Sequence, residues 1–228
     1  MINLFYNEVK VGESMIKRYL LNNIYYLTLS MIAFALLSIS SIYLLNNPTW
    51  DVQNWYVIAF SNSIITLVIL QIPLLLHMIS KIKFDVVLTN VFYIFLFLTL
   101  IVGEAIGVYR ITAFYDSLIH AMGGFVLSLL AYYVFKSLTK ERSKLLMILF
   151  ILGFQALFGT VWEIFEFALD SWIGSNTQSY FDDLTQTLFL GQAALKDTMF
   201  DFLFNTLGSL IFVLALPKIN VYFIKKTE

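Results

Sequence analysis

The sequence predicts an all-α, polytopic membrane protein with six transmembrane helices and both termini in the cytoplasm. Of its 228 residues, 60% are hydrophobic and only 13% are charged, which is more apolar surface than a soluble domain of this size can bury. The apolar residues form runs of the roughly 20 residues that a helix needs to cross the hydrocarbon core. The basic residues fall almost entirely on one side of these runs, as the positive-inside rule requires.

Polar or helix-breaking residues punctuate the apolar runs and set the predicted spans. In chain order, the six spans are residues 24–45, 55–79, 86–107, 113–135, 145–169 and 198–216. Asn46-Asn47-Pro48 ends the first span, Ser80-Lys81 ends the second and Pro217 follows the last. We expect a single integral membrane domain over 1–228, in which 170–197 forms the one long outer loop.

The distribution of positive charge orients the chain. With the N-terminus inside, all of the 14 Lys and Arg residues except Arg110 and Lys196 face the cytoplasm. The first apolar run is longer than the core of a signal peptide, so we interpret it as a retained anchor. In the outer loop, Phe181, Leu184 and Leu188 recur at helical spacing and predict a short interfacial helix on the outer surface rather than a catalytic lid.

Composition excludes several classes of function. The net charge of −1 gives no basic field for nucleic acid, so no nucleic-acid partner is expected. The absence of cysteine excludes disulfides, thiolate nucleophiles, iron–sulfur clusters and cysteine-ligated zinc. The partner that the sequence does predict is the lipid bilayer.

Acidic residues concentrate at the predicted outer ends of four spans. These acids are Glu104, Asp116, Glu163, Glu166, Asp170, Asp197 and Asp201. The fifth span and its outer end carry the acids Glu163, Glu166 and Asp170. Together with Gln155 and Gly159, these residues lie on one helical stripe. Asp116 and His120 are spaced i, i+4 in the fourth span, as Asp201 and Asn205 are in the sixth. The pattern predicts a polar cup that opens to the outside.

Two further features suggest that these helices lie close together. Small residues accompany the acids and allow close helix approach: Gly103, Gly107, Gly123, Gly124, Gly159 and Gly208. The segments 115–125 and 200–210 share the pattern aromatic-Asp-x-Leu-x-polar-x-x-Gly. Spans three–four and five–six are therefore candidates for two parallel hairpin repeats, with His120 and Asn205 as counterparts.

Carboxylates that face one another repel unless a proton or a cation bridges them. We predict His120, Glu163, Glu166 and Asp201 as ligands of a divalent metal, with Asp197 and Asn205 as supporting polar groups. This oxygen-rich set favours Mg²⁺, Mn²⁺ or Ca²⁺, and iron or zinc becomes suitable if His120 coordinates. Asp116 would orient His120, and Glu104 or Asp170 would act as general base.

Each prediction has a structural alternative. Asp116 and Asp197 are equally suited to be helix N-caps, and Asp170 to be an interfacial loop acid. His120, Glu163, Glu166 and Asp201 could instead form a structural hydrogen-bond network with Glu104. His77, at the cytoplasmic end of the second span, is interpreted as an interfacial residue.

Three motifs carry a family resemblance: Tyr115-Asp116-x-x-x-His120-x-x-x-Gly124, Trp162-Glu163-Ile164-x-Glu166-x-x-x-Asp170 and Asp197-Thr198-x-x-Asp201-x-x-x-Asn205-x-x-Gly208. They resemble the YjdF-type family of uncharacterised prokaryotic membrane proteins and, more distantly, VanZ-like proteins. The first resemblance implies a multi-pass protein of the prokaryotic plasma (inner) membrane without an established reaction. The second implies envelope or glycopeptide-resistance chemistry.

Three functions fit these features. The first is a metal-dependent hydrolase or transferase acting on a lipid-linked or envelope substrate from the outer side. The second is a cation- or proton-coupled transporter, whose path to the cytoplasm would use the polar residues of span two from Ser61 to His77, with Pro73 breaking the helix. The third is a non-catalytic membrane protein whose acids only stabilise helix packing.

Overall fold

The computed structural model describes residues 24–47, 54–73, 75, 86–139, 143–182 and 185–227. These residues are almost entirely helical, and the predicted all-α fold is confirmed. The α-helices are α1 Ile24–Asn46, α2 Trp55–Ile69, α3 Val86–Leu96, α4 Val108–Ile111, α5 Ala113–Leu138, α6 Lys144–Ile173 and α7 Lys196–Thr227. A π-helix, Phe97–Ala105, continues α3, and a 3₁₀ turn, Gly191–Ala193, precedes α7.

Five helical segments of the described chain are long and apolar enough to cross a membrane. They are Tyr25–Asn46, Val87–Ala105, Phe114–Leu138, Lys144–Ile173 and Lys196–Pro217, and they correspond to five of the six predicted spans. The remaining one, α2, has 15 residues, fewer than the roughly 20 that a span needs.

The second predicted span is interrupted, and proline provides the physical reason. Helix α2 ends at Ile69 with Leu70 as its C-cap, and the next backbone bond, from Gln71 N to Val68 O, spans only three residues. Pro73 lacks the N–H that would continue the helix. His77 and the predicted end at Ser80-Lys81 lie outside the described residues.

The last predicted span, 198–216, lies within the apolar segment Lys196–Pro217. Pro217 does not end the helix, however, because α7 continues through this residue to Thr227. Proline removes a single backbone hydrogen bond, and membrane helices tolerate this loss because the neighbouring turns remain bonded.

The chain divides into two compact units, Met1–Gly107 and Val108–Glu228. In the first unit, a core of buried side chains joins α1, the end of α2, α3 and the π-helix: Leu29, Leu70, Tyr93, Leu96, Leu100 and Ile101. The π-helix ends where Ile106 N donates to Ile101 O and Gly107 takes a positive φ. Glu104 lies within it and is half-buried.

In the second unit, α5 and α7 run parallel and cross very closely. A Cβ on Gly124 would overlap the backbone of Asn205, and one on Gly208 would overlap that of Ala121. Further along both helices, Ser128 donates to Ser209 at 2.7 Å and the rings of Phe125 and Phe212 meet edge to face. Two of the predicted small residues therefore permit the contact. The hairpin repeat itself stays a prediction.

The segment between α6 and α7 is not the predicted interfacial helix. Among its described residues, the chain instead folds back on itself: Phe181 and Leu188 form an antiparallel bridge, and Asp182 N donates to Thr187 O at 3.0 Å. Gln186, with φ of 55°, makes the turn between them. The helical spacing of the apolar residues was misleading because a tight turn brings Phe181 and Leu188 opposite each other without a helix; Leu184 lies outside the described residues.

Candidate metal centre

One face of α6 carries every buried side chain of that helix. These residues are Met147, Ile151, Gln155, Gly159, Glu163, Glu166 and Asp170, and the stripe predicted from spacing is its polar half. The opposite face, including Leu157, Val161 and Ile164, is exposed. Helix α6 therefore turns its acids toward α5 and α7, because lipid is a poor environment for them.

His120 lies at the middle of the polar contacts between α5 and α7. Its Nε2 is 3.5 Å from Asp116 Oδ1 and 3.5 Å from Asp201 Oδ1. Its Nδ1 is 3.1 Å from Asn205 Nδ2. Asn205 and His120 are thus in contact, as are the helices that carry them.

Asn205 can support either tautomer of His120. As placed, its amide N–H donates to an unprotonated Nδ1, which leaves the proton on Nε2 between the two carboxylates. If a cation took the Nε2 lone pair, the proton would move to Nδ1, and Asn205 would accept it after a flip of its amide. The supporting role predicted for Asn205 would consist of this contact with His120 Nδ1.

Two groups of side chains bring their ligand atoms within 4.8 Å of one another. One consists of Asp116, His120 and Asp201, and the other of Glu163, Glu166 and Asp201. The four predicted metal ligands are therefore all present in these groups. Asp116 joins them as a fifth candidate ligand, and Asp201 belongs to both.

Several carboxylate oxygens in these groups are buried and accept no hydrogen bond. They are both oxygens of Glu163, Oε2 of Glu166 and Oδ2 of Asp201. The three side chains are only 4%, 8% and 2% exposed. The nearby amide of Gln178 is engaged elsewhere, with Thr198 Oγ1 at 3.1 Å and the Glu163 backbone carbonyl at 3.4 Å. Buried anionic oxygens without a donor are unfavourable, so the site is suited to a cation or to protons.

Asp170 accepts hydrogen bonds from the loop that follows α6. Its Oδ1 accepts from Ser175 Oγ at 2.7 Å, Thr177 Oγ1 at 2.7 Å and Thr177 N at 2.8 Å. Its Oδ2 accepts from Gln178 N at 2.9 Å. Asp170 thus lies near the C-terminal end of α6 with both oxygens engaged by the following loop, and its predicted role as general base stays a prediction.

The N-cap alternatives for Asp116 and Asp197 do not hold. Thr112 caps α5 by accepting from Phe114 N, which places Asp116 inside the helix. Helix α7 begins at Lys196, so Asp197 also lies within its first turn, where a carboxylate is favoured by the helix dipole. Asp116 is the least buried of the candidate ligands, with 28% of its side chain exposed.

Trp162 is a contributor that sequence reasoning missed. Its Nε1 donates to Glu166 Oε1 at 2.9 Å, which leaves Oε2 of the same carboxylate without a partner. The i, i+4 spacing of these two residues was the available signal. Glu104 belongs to the first unit, and its predicted role as general base stays a prediction.

The fold and these contacts define a polytopic, all-α membrane protein with a buried acid–histidine cluster in its second unit. The chain belongs to the DUF2238 family, described as a predicted membrane protein family, whose model matches residues 25–220. The YjdF-type proteins are in this family, so that resemblance is confirmed, whereas a VanZ-like relationship is not shown. No curated protein and no solved structure matches the chain.

Proposed function

We propose that the protein is a divalent-metal-dependent membrane enzyme, a hydrolase or transferase that acts on a lipid-linked or envelope substrate. One observation carries the proposal: Glu163, Glu166 and Asp201 bury carboxylate oxygens that accept no hydrogen bond. An unpaired buried charge costs several kcal/mol (about 3–5 when a partner is removed). A bound cation satisfies these oxygens at once and also supplies reactivity.

The ligand types indicate what the cation would do. Carboxylate oxygens favour Mg²⁺, Mn²⁺ or Ca²⁺, whereas the imidazole of His120 extends the range to zinc and iron. Such an ion polarises a phosphoryl or carbonyl oxygen, or turns a bound water into a nucleophile near neutral pH. Asp116, predicted to orient His120, instead faces the same Nε2 at 3.5 Å and would share the ion with it, while Asn205 on the Nδ1 side would orient the imidazole.

Trp162 supports a lipid-linked substrate. Its ring is 43% exposed on the outer face of α6, while its Nε1 donates to Glu166. A single side chain therefore separates the cluster from the surface that faces acyl chains. A substrate anchored in the bilayer could present its polar head at this point without leaving the membrane.

A transporter is supported less well. Transport needs a polar route beyond the cluster, but past Asn205 the Ser128–Ser209 hydroxyl pair is followed by the rings of Phe125, Phe212 and Tyr132 in the contact between α5 and α7. In the first unit, the side chains of Ser63 and Thr66 bond to carbonyls of their own helix. Neither arrangement provides a continuous row of side chains that could pass a cation or a proton along the membrane.

Metal content tests the proposal directly. We would purify the protein in detergent, dialyse it against Mn²⁺ and then against metal-free buffer, and measure bound metal by elemental mass spectrometry. Wild type should retain metal, and Glu163→Ala and His120→Ala should each retain clearly less of it. Ser128→Ala, a buried polar substitution in the same helix pair, is the matched control and should retain it.

The control separates a ligand effect from general loosening of the helix pair. Wild-type protein that retains no metal under these conditions would contradict the proposal and favour protonated carboxylates. Equal retention by wild type and both ligand variants would place any metal elsewhere.

We also propose that the cluster faces the outside of the plasma membrane and that both termini are cytoplasmic. The lack of native cysteine makes single-cysteine labelling clean. Ser179→Cys, in the exposed α6–α7 loop, should react with a membrane-impermeant maleimide on intact cells. Ser137→Cys, exposed near the end of α5, should react only after permeabilisation, and the reverse pattern would invert the topology.

A further inference from the structure

We propose that the cluster is a two-cation centre in which Asp201 bridges one ion held with Asp116 and His120 and a second held with Glu163 and Glu166. The inference rests on the proposed function, since it requires that the cluster binds metal at all. It goes further in assigning two ions, their separate ligands and the bridging residue.

The first group has the spacing of metal ligands rather than of hydrogen bonds. His120 Nε2 is 3.5 Å from both Asp116 Oδ1 and Asp201 Oδ1, beyond the 2.7–3.2 Å of ordinary hydrogen bonds to nitrogen. Two ligands of a tetrahedral ion with bonds of about 2.1 Å lie about 3.4 Å apart. The three atoms therefore surround a position that suits a cation.

The second group consists of oxygens only. Its ligand atoms from Glu163, Glu166 and Asp201 lie within 4.8 Å of one another. Opposite ligands of an ion with bonds of about 2.1–2.4 Å are about 4.2–4.8 Å apart. Glu163 and Glu166, which belong to this group, also carry oxygens that accept no hydrogen bond.

Asp201 has the properties of a bridge. It is 2% exposed, its Oδ1 lies toward His120, and its Oδ2 has no hydrogen-bond partner. A carboxylate with one oxygen on each ion suits metals about 3.5–4 Å apart, the separation found in two-metal hydrolytic sites. A single ion in the first group would leave both oxygens of Glu163 without a partner. A single ion in the second group would leave no cation between His120 and Asp116.

The charge balance also favours two ions. The candidate ligands include four carboxylates, Asp116, Glu163, Glu166 and Asp201, and the nearby Asp197 adds to their negative charge. Among the described residues, no Lys or Arg forms an ion pair with any of them. Two divalent cations neutralise four carboxylates, whereas one leaves an excess of two negative charges in a membrane-embedded site, where uncompensated charge is unfavourable.

Manganese is the most informative probe because it accepts both kinds of ligand set, imidazole with carboxylate and carboxylate alone. We would load the full-length protein in detergent with Mn²⁺, remove free ion, and record bound Mn²⁺ per chain together with its electron paramagnetic resonance spectrum. Wild type should bind two ions per chain with an exchange-coupled spectrum, since the ions share Asp201.

Variants assign the ions to their groups. His120→Asn should lower the stoichiometry to one, as should Glu166→Gln, which keeps an oxygen for Trp162; both should show an uncoupled spectrum. Asp201→Asn should abolish the exchange coupling and weaken the binding of both ions at least tenfold. Ser128→Ala should bind two coupled ions.

The outcomes separate this inference from the proposed function. One ion per wild-type chain with an uncoupled spectrum overturns the two-cation centre but leaves a metal enzyme intact, and no bound ion overturns both. Coupled ions that persist in Asp201→Asn overturn the bridging assignment. The wild-type measurement decides the number of ions even where a variant fails to fold.

Discussion

Two sets of buried polar side chains, one in each unit of the molecule, meet their need for hydrogen bonds in different ways. In the first unit, the hydroxyls of Ser63 and Thr66 are fully buried, and each donates to a carbonyl four residues back in its own helix, at 2.6 and 2.7 Å. In the second unit, Glu163, Glu166 and Asp201 are equally buried but have oxygens that accept nothing.

The difference follows from what each group can offer. A hydroxyl carries a proton, so it can use the second lone pair of a helical carbonyl. An ionised carboxylate only accepts, and the N–H groups in the middle of a helix are already bonded. Mid-helix acids therefore need a donor from another element or a ligand, whereas Asp170, at a helix end, receives the free N–H groups of the following loop.

The largest effect should come from widening the crossing that brings the acids together. In Gly208→Ala, the new methyl group meets the Ala121 backbone, so we expect a loss of about 3 kcal/mol or more in unfolding free energy. Gly153→Ala is the matched control: nothing lies within 4 Å of its added Cβ, and alanine's higher helix propensity should make it neutral or slightly stabilising. Thermal unfolding in detergent compares them, and equal melting temperatures would refute the close contact.

Removing Asp170, the acid whose two oxygens both accept hydrogen bonds, should have the next largest effect. Asp170→Ala leaves the backbone N–H groups of Thr177 and Gln178 without their acceptor, so we expect a loss of about 2 kcal/mol, because hydrogen bonds to charged groups contribute about 1.5–3 kcal/mol. Hydrogen exchange should accelerate at residues 175–178 and remain unchanged in α5. Unchanged exchange at 175–178 would show that the loop does not depend on this carboxylate.

Neutralising Glu166, which has one oxygen without a donor, should have opposite effects on stability without and with metal. In metal-free protein, Glu166→Gln removes repulsion from Glu163 and Asp201 while keeping an acceptor for Trp162, so its melting temperature should rise by a few degrees. With saturating Mn²⁺, wild type should become the more stable protein, because ligand binding stabilises the folded state. The same order with and without Mn²⁺ would contradict a metal role for Glu166.

The smallest effect is expected for a locally bonded hydroxyl in the first unit. Ser63→Ala removes the donor and leaves the Ala59 carbonyl with its helical bond, so the unfolding free energy should change by about 0.5 kcal/mol or less. Mn²⁺ should not alter this difference. A loss as large as that of Asp170→Ala would show that the first unit also depends on partners across its helices.

The sequence by itself determined the helices and the faces on which their polar groups lie. Apolar length defines spans regardless of what packs beside them, and the 3.6-residue period places Glu163, Glu166 and Asp170 on one side of α6. Rules that use only local sequence were less reliable. Pro217 does not end α7, and the helical spacing of Phe181 and Leu188 does not produce a helix.

Only the tertiary structure decided how the acids of that stripe differ. Asp170 meets loop donors because the chain turns back over the end of α6, whereas Glu163 and Glu166 meet Asp201 because α6 packs on α7, with Gly159 close to the Asn205 side chain. The crossing of α5 and α7 at Gly124 and Gly208 brings Asp116 and His120 to the same Asp201. Spacing along one helix contains no information about the partner on another, and the identity of Asp201 as the residue common to both groups arises from these contacts between helices.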